Sequence, residues 1–307
     1  MEAHGDDLRL IDTRLGGVDG VTGILLALDD RPALLDVGAQ TSVGEVRASL
    51  DRAGIGPLDL AWIVLTHIHL DHCGGTGDLA AAYPRARVVV HPRGVRHLAD
   101  PTRLVDASAR VYGDLASVYG GLTPTDPDRI VAAEHGHRVP LGLGRNLVMF
   151  NAPGHARHQM AILHEPSGTM LAGDALGARV GGGGLHPTTP PSDFDPEVGI
   201  ETLDTIRAVG PTRLYVSHFG ELPDPVAGLD RARRQLELIV KTRESWTGAR
   251  RREVVADAVR RALPIEEACS TPEASHIWRW LGWEPANIDG VIHWLERSEP
   301  TPAPTSP

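Results

Sequence analysis

The sequence has few of the features that mark secreted or membrane proteins. It contains only two cysteines, Cys73 and Cys269, which lie far apart, so no disulfide framework is predicted. Residues 1–7 are acidic and polar and lack the basic start and apolar run of a secretory signal. The longest apolar runs, such as 60–65, are far shorter than the roughly 20 residues of a membrane span. These features predict a cytoplasmic protein that does not associate with membranes.

An excess of positive charge is also missing. Thirty basic side chains face forty acidic ones, which gives a net charge of −10. Such a chain repels a phosphate backbone, so the sequence argues against a nucleic-acid partner and favours a small-molecule substrate. The 41% share of apolar residues and the 34 glycines are typical of a globular enzyme with many tight turns. Fifteen histidines are the more informative count.

Alternating apolar runs and turns predict an α/β protein. A capping-box pattern, Ser42 with Glu45 three residues later, predicts a helix over about 43–53. The apolar run 60–65 is typical of a strand that is buried on both faces. Further strands are predicted at 8–11, 21–28, 33–36, 88–91, 147–151, 160–164, 170–172 and 214–217, and helices at 78–83 and 196–209.

The domain organisation follows from the same patterns. We expect a catalytic domain over 1–225 with a helical insertion at about 93–120, and a helical extension over 226–298. The Pro/Thr/Ser-rich end, 299–307, is predicted to be disordered. Tryptophans cluster in the extension at near-helical spacing, which is typical of packing on the domain or on a second copy in a homodimer. These tryptophans are Trp278, Trp280, Trp283 and Trp294.

Four side chains of metal-ligand type lie within six residues, directly after the predicted buried strand. On a strand-to-helix turn, His67 and His69 can face one point, and Asp71 and His72 a second. Imidazole and carboxylate groups in this combination suit borderline divalent ions such as zinc. Iron and manganese are the alternatives. The pattern therefore predicts a metal site rather than ordinary loop histidines.

Three more residues of metal-ligand type each follow an apolar strand pattern: His155, Asp174 and His218. Side chains at the same end of several strands converge on one cleft, which is how α/β enzymes generally assemble their sites. We therefore expect these three residues to join the first cluster.

Together the pattern His-x-His-x-Asp-His, a later His, an Asp and a final His resembles that of the metallo-β-lactamase superfamily. The resemblance spans about residues 8–220 and implies a four-layer αββα sandwich with two divalent metal ions. It implies that His67, His69 and His155 hold the first metal, that Asp71, His72 and His218 hold the second, and that Asp174 bridges them. Shorter motifs at 91–101 and 188–191 resemble a subgroup of stand-alone hydrolase-like proteins.

Two adjacent divalent ions can lower the pKa of a shared water and yield a hydroxide nucleophile near neutral pH. Asp71 is then the expected general base or proton shuttle, and His158 a second catalytic candidate. Asp36 resembles the carboxylate that fixes the ligand loop. For substrate binding the candidates are Arg157 and Arg179, which could bind an anionic group, with Tyr112 and His186 in the pocket wall.

The expected activity is hydrolysis of an ester, thioester or lactone. One alternative is a persulfide dioxygenase with a single iron held by two histidines and one aspartate. Others are hydrolysis of a β-lactam or a phosphodiester, although no lactamase substrate loop is apparent, and a non-catalytic binding protein. All seven ligand types are present, which favours catalysis over binding alone.

Overall fold

The computed structural model describes residues 2–3, 7–246, 251–262 and 269–298. Within these ranges the chain forms two mixed sheets with helices on their outer faces, the predicted four-layer αββα sandwich, followed by a helical C-terminal region. The predicted tail over 299–307 lies outside the described residues. None of the helices in the described part is both long and apolar enough to cross a membrane.

The first sheet takes its strands in chain order. Its members are β1 (Glu2–Ala3), β2 (Leu8–Asp12), β3 (Gly23–Ala27), β4 (Ala33–Leu35), β5 (Trp62–Val64), β6 (Arg87–Val90) and β7 (Ile130–Ala132). Strands β1 to β4 pair antiparallel, and β4 to β7 pair parallel. The carboxyl ends of β4 and β5 therefore meet at one edge, where the histidine-rich turn begins.

The second sheet also takes its strands in chain order, with β8 and β13 at its edges. Its members are β8 (Arg138–Gly142), β9 (Arg145–Asn151), β10 (Met160–His164), β11 (Thr169–Leu171), β12 (Arg213–Val216) and β13 (Gly220–Glu221). In this sheet β11 and β12 pair parallel, so residues that follow these two strands emerge at the same end. Asp174 and His218 both follow such strand ends.

Helices cover the outer faces of both sheets and continue into the C-terminal region. They are α1 (Val43–Arg52), α2 (Leu70–Cys73), α3 (Thr76–Ala82), α4 (Val95–Ala99), α5 (Thr102–Tyr112), α6 (Ala116–Tyr119), α7 (Pro196–Val209), α8 (Pro225–Lys241), α9 (Arg251–Ala262), α10 (Pro272–Trp280) and α11 (Trp283–Ser298). The segment over 93–120 is helical, as the sequence predicts. Helix α1 starts where the capping box places it, but the Ser42 side chain makes no cap hydrogen bond and a 3₁₀ turn leads into the helix.

Two apolar cores hold the layers together. Alternate residues of β3 point to opposite faces, so Leu25 packs between the sheets while Ile24 and Leu26 pack under the helices. Trp278 and Trp294 of the C-terminal helices join the same core as Ile24, and each is at most 4% exposed. The tryptophan-rich helices therefore pack on the sandwich within one chain.

Candidate metal centre

A buried carboxylate organises the turn that follows β5. Asp36, which is 0% exposed, accepts hydrogen bonds from the Thr66 amide at 2.7 Å and the Thr66 hydroxyl at 2.8 Å. It also accepts one from Ser217 Oγ at 3.0 Å and lies 3.3 Å from His72 Nδ1. Its φ of 58° is left-handed, a conformation that aspartate tolerates better than most residues. Asp36 thus ties the ligand turn of the first sheet to the second sheet.

The first ligand group combines two residues of this turn with one from the second sheet. His67 Nε2 lies 3.1 Å from His69 Nδ1, and His155 Nε2 lies 3.0 Å from the same atom. His155 follows β9 and the turn at Gly154, where φ is 132° and an added Cβ would meet Gly199 backbone at 2.5 Å. Only glycine fits there, which fixes how the chain presents His155.

The second ligand group lies beside the first. His218 Nε2 is 3.1 Å from Asp71 Oδ2, and His72 Nε2 is 3.7 Å from the same oxygen. Asp174 lies between the groups, because its Oδ1 is 3.5 Å from His72 Nε2 and its Oδ2 is 3.6 Å from His155 Nε2. All seven predicted ligand residues thus lie together, in three overlapping groups: His67, His69 and His155; His67, His72 and Asp174; and Asp71, His72 and His218.

The donor atoms fit divalent metal ions. A tetrahedral zinc with bonds of about 2.0 Å to nitrogen spaces its ligand atoms roughly 3.3 Å apart, close to the 3.0 and 3.1 Å found around His69. His155 Nδ1 faces the Thr188 carbonyl at 3.1 Å, and His218 Nδ1 faces the Val21 carbonyl at 2.9 Å. Donation at Nδ1 leaves the lone pair of Nε2 for a metal.

Two buried atoms in this cluster have no hydrogen-bond partner among the described residues. They are His72 Nε2 and Asp174 Oδ1, which face each other. Burying a polar atom without a partner costs about 1–3 kcal/mol. A metal ion between them would satisfy both atoms, so the residues present fit a dinuclear site.

The electrostatics of the cluster divide the histidines into two kinds. Burial and neighbouring imidazoles lower the pKa of His67 well below its usual value, and burial lowers the pKa of His69 to about 3. Burial also acts on His72, but the carboxylates of Asp174 and Asp71 outweigh it and raise the pKa of His72 to about 10. His67 and His69 are therefore neutral and ready to bind a cation, whereas a metal at His72 must displace a proton.

Only some of the predicted catalytic and substrate-binding residues lie at the cluster of candidate ligands. The His158 ring lies 5.8 Å from that of His69, and Tyr112 lines the pocket over the cluster. Arg157 lies in a neighbouring surface groove. Arg179 and His186 are not among the residues that line the pocket: Arg179 donates to the Glu221 carbonyl, and buried His186 packs edge-on against Trp278. Their placement gives no support to a substrate-binding role.

Several residues of the pocket were not predicted as site residues from the sequence. The pocket over the cluster is narrow, with a volume of about 40 Å³, and Tyr119, Thr188, Thr189 and Asn287 form part of its wall. Asn287 comes from α11 and accepts a hydrogen bond from the Thr189 amide at 2.8 Å. Thr189 Oγ1 donates in turn to the Asn287 carbonyl at 2.8 Å. The C-terminal helices thus fix the loop that contacts His155.

A family model described as "metallo-beta-lactamase superfamily" matches residues 16–218, about two thirds of the chain and all seven candidate ligands. The chain belongs to this superfamily. The predicted family and fold are thereby confirmed.

Cys73, which follows the ligand turn, is fully buried, and burial raises the pKa of its thiol well above the usual value, so it is a packing residue in this superfamily member.

A relative of known sequence and structure agrees with the assignment to this superfamily. A metallo-beta-lactamase fold-containing protein of Sulfurisphaera tokodaii is 32% identical over 191 residues, which cover 61% of this chain and 68% of that protein. The crystal structure of this same archaeal protein superposes with a TM-score of 0.70 at 24% identity, over 94% of this chain and 99% of that one. It shows the fold alone.

A hydroxyacylglutathione hydrolase of Xanthomonas campestris pv. campestris is more distant. It is 27% identical over 177 residues, which cover 58% of this chain and 54% of that enzyme. The match thus spans about half the length of the hydrolase.

Proposed function

We propose that this chain is a metal-dependent hydrolase that cleaves an ester, thioester or lactone of a small molecule at a dinuclear site, with zinc as the expected metal. The observation that carries the proposal is the pair of complete ligand groups with Asp174 in contact with both. A single iron held by two histidines and one aspartate would leave His67 or His69, and the ligands of the second group, without a metal to bind. Divalent ions bound here would activate a water molecule and polarise the attacked carbonyl.

The chain's own residues orient the reactants. Burial raises the pKa of Asp71, but His72 and His218 outweigh it and hold that pKa far below its usual range, so Asp71 stays ionised. An ionised carboxylate accepts a hydrogen bond from the attacking water and directs it. Burial and nearby carboxylates raise the pKa of Tyr112, which therefore remains a hydrogen-bond donor for a substrate oxygen at neutral pH.

His158 is the remaining catalytic candidate. Burial lowers its pKa well below the usual value, so the imidazole is neutral, and its Nδ1 has no hydrogen-bond partner among the described residues. A neutral imidazole beside His69 can donate to the substrate carbonyl or leaving group from one nitrogen and accept at the other. It thus suits a role in proton transfer next to the candidate ligands.

The relatives support hydrolysis of an acyl bond. Hydroxyacylglutathione hydrolases appear among the curated matches from two kinds of bacteria, at 27% and 30% identity. A hydroxyacyl thioester of glutathione is accordingly the first substrate to test. The low identity and the partial coverage make the thioester a proposal for this chain.

The experiment combines metal analysis with a substrate panel. Protein purified without chelator should contain close to two divalent ions per chain, and Asp174→Ala should lower that content by at least one ion because Asp174 contacts both groups. The loaded protein should hydrolyse at least one member of a panel of esters, thioesters and lactones.

Other results would contradict the proposal. One iron per chain with oxygen consumption on a persulfide would indicate a dioxygenase, and cleavage confined to a β-lactam or a phosphodiester would replace the substrate class. Several preparations without bound metal would reject the dinuclear site altogether.

A further inference from the structure

A basic groove adjoins the metal centre. It has a volume of about 710 Å³ and includes Arg93, Arg96, His97, Arg157, His158 and Asp193. His158 forms the boundary, since its ring lies 5.8 Å from that of His69 and 6.2 Å from that of His67. The groove is therefore separated from the candidate ligands by one side chain.

The positive charge of this basic groove is only partly neutralised within the described part of the chain. Asp193 is the only carboxylate among its lining residues, and it lies 3.6 Å from Arg157. No described carboxylate is within ion-pair distance of Arg93 or Arg96. Arg96 Nε donates to His97 Nε2 at 3.1 Å, which orients the guanidinium and leaves its two terminal nitrogens available.

The arginines that line a second groove are, in contrast, paired with carboxylates. A larger groove of about 870 Å³ between α9 and α11 also contains two arginines. There Arg252 contacts Asp289 at 2.5 Å, and Arg260 contacts Glu284 at 3.0 Å and Asp257 at 3.3 Å. Arg93 and Arg96, beside the metal centre of a chain with a net charge of −10, thus differ from the arginines of that second groove.

The narrow pocket over the cluster leaves the bulk of a substrate outside. Its volume of about 40 Å³ admits little more than a water molecule or a carbonyl group. Arg157 is two residues from His155, so their Cα atoms are at most about 7 Å apart. A molecule whose carbonyl reaches the metal centre past His158 can place a group several bonds away in the basic groove.

We propose that the basic groove binds an anionic group, a carboxylate or a phosphate, on the same molecule whose acyl bond is cleaved at the metal centre. This assignment rests on the proposed hydrolase function. Arg93 and Arg96 bind the oxyanion through paired N–H groups, and Arg157 exchanges Asp193 for it. The substrate is accordingly an ester or thioester with an acidic group several bonds from the scissile carbonyl.

The test compares three 4-nitrophenyl esters on metal-loaded protein: the monoester of glutaric acid, the 4-phosphonobutanoate ester and the neutral pentanoate ester. The charged esters should have the higher kcat/KM, and the Arg93→Ala/Arg96→Ala double variant should reduce that preference at least tenfold, mainly through KM. Arg234→Ala, which removes a single positive charge from the exposed side of α8, should leave the preference intact. A larger effect on one charged ester identifies the group as carboxylate or phosphate.

A binding measurement separates this proposal from the hydrolase function. Titration calorimetry with inorganic sulfate, at equal metal content, should give a dissociation constant at least tenfold higher for the double variant than for wild type or Arg234→Ala. If sulfate binding weakens in this way but no ester is cleaved, the groove assignment stands and the hydrolase proposal fails for these esters. If esters are cleaved without a preference for charge, or sulfate binding is equal in all three proteins, the groove assignment is wrong.

Discussion

The sandwich and the C-terminal helices contribute to the candidate site in different ways. The sandwich, residues 8–221, supplies all seven candidate metal ligands, whereas the helices over 225–298 supply none in their described part. Yet Ala286 and Asn287 of α11 line the pocket over those ligands. The chemistry of the site and its enclosure thus come from separate parts of the chain. Substitutions that affect one part can show how far the two are independent.

The largest effect is expected within the sandwich, at Asp36. Asp36→Ala leaves the buried Thr66 and Ser217 donors without their acceptor and places alanine at a left-handed φ of 58°. We expect the free energy of unfolding to fall by about 3 kcal/mol and metal content to fall with it. Urea denaturation and elemental analysis measure the two.

Asp36→Asn is the matched control, because asparagine keeps an oxygen acceptor and tolerates the same backbone conformation. Its loss of stability should be clearly smaller. An Asp36→Ala protein within 1 kcal/mol of wild type would show that the ligand turn holds its shape without this carboxylate.

A smaller loss of stability is expected at Gly290 of α11, where the C-terminal helices contact the sandwich. A Cβ built there would lie 1.6 Å from the Thr189 carbonyl oxygen, so Gly290→Ala must push the helix away from the loop. The expected loss is about 2 kcal/mol, even though alanine favours a helix.

Gly44→Ala on α1 is the control, since no atom beyond its chain neighbours and the adjacent helix backbone lies within 4 Å of its added Cβ. It should stabilise the protein by about 0.5–1 kcal/mol. Equal thermal stability of the two variants would mean that the close approach of α11 to the loop does not matter for folding.

The smallest loss of stability is expected at Asn287. Replacing this residue should nevertheless change the affinity of the site for metal. Asn287→Ala removes the acceptor of the Thr189 amide and should cost about 1 kcal/mol. Because Thr188 next to it contacts His155 Nδ1, the affinity for metal should fall about tenfold, as for other partners that orient a ligand.

Competition with a fluorescent chelator measures that affinity. Glu296→Ala, on the exposed side of the same helix, should leave it unchanged. Unaltered metal affinity in Asn287→Ala, alongside the stability loss, would mean that the helices enclose the site without positioning His155.

The same division explains what could be predicted from the sequence. The turn with His67, His69 and His72 is local, so its residue spacing alone indicates a metal site. Asp174 and His218 follow apolar strands, and convergence of strand ends is general in α/β proteins. Their assignment to two candidate metal positions required the resemblance to a known family.

The features that could not be predicted from the sequence depend on contacts between residues far apart in the chain and on where side chains point. Asn287 lies about 100 residues from its partner Thr189, and an isolated polar residue in a helix looks like a surface position. Arg179 follows Asp174 closely, but sequence proximity does not show that its side chain points to Glu221. Strand β8 was not predicted because Pro140 interrupts its pattern, although proline is tolerated in such an edge strand.

The contact between α11 and the Thr188–Thr189 loop also has a consequence for synthesis of the chain. The last candidate ligand, His218, precedes Asn287 by about 70 residues, which at roughly 5–20 residues per second amounts to several seconds of translation. During that interval a nascent sandwich has its ligands but not the wall that α11 provides. Metal loaded while the chain is still being made would meet an open, water-accessible cluster, whereas metal that arrives later must pass the closed pocket. The chain order thus delays closure of the pocket by α11 until after the last candidate ligand has been made.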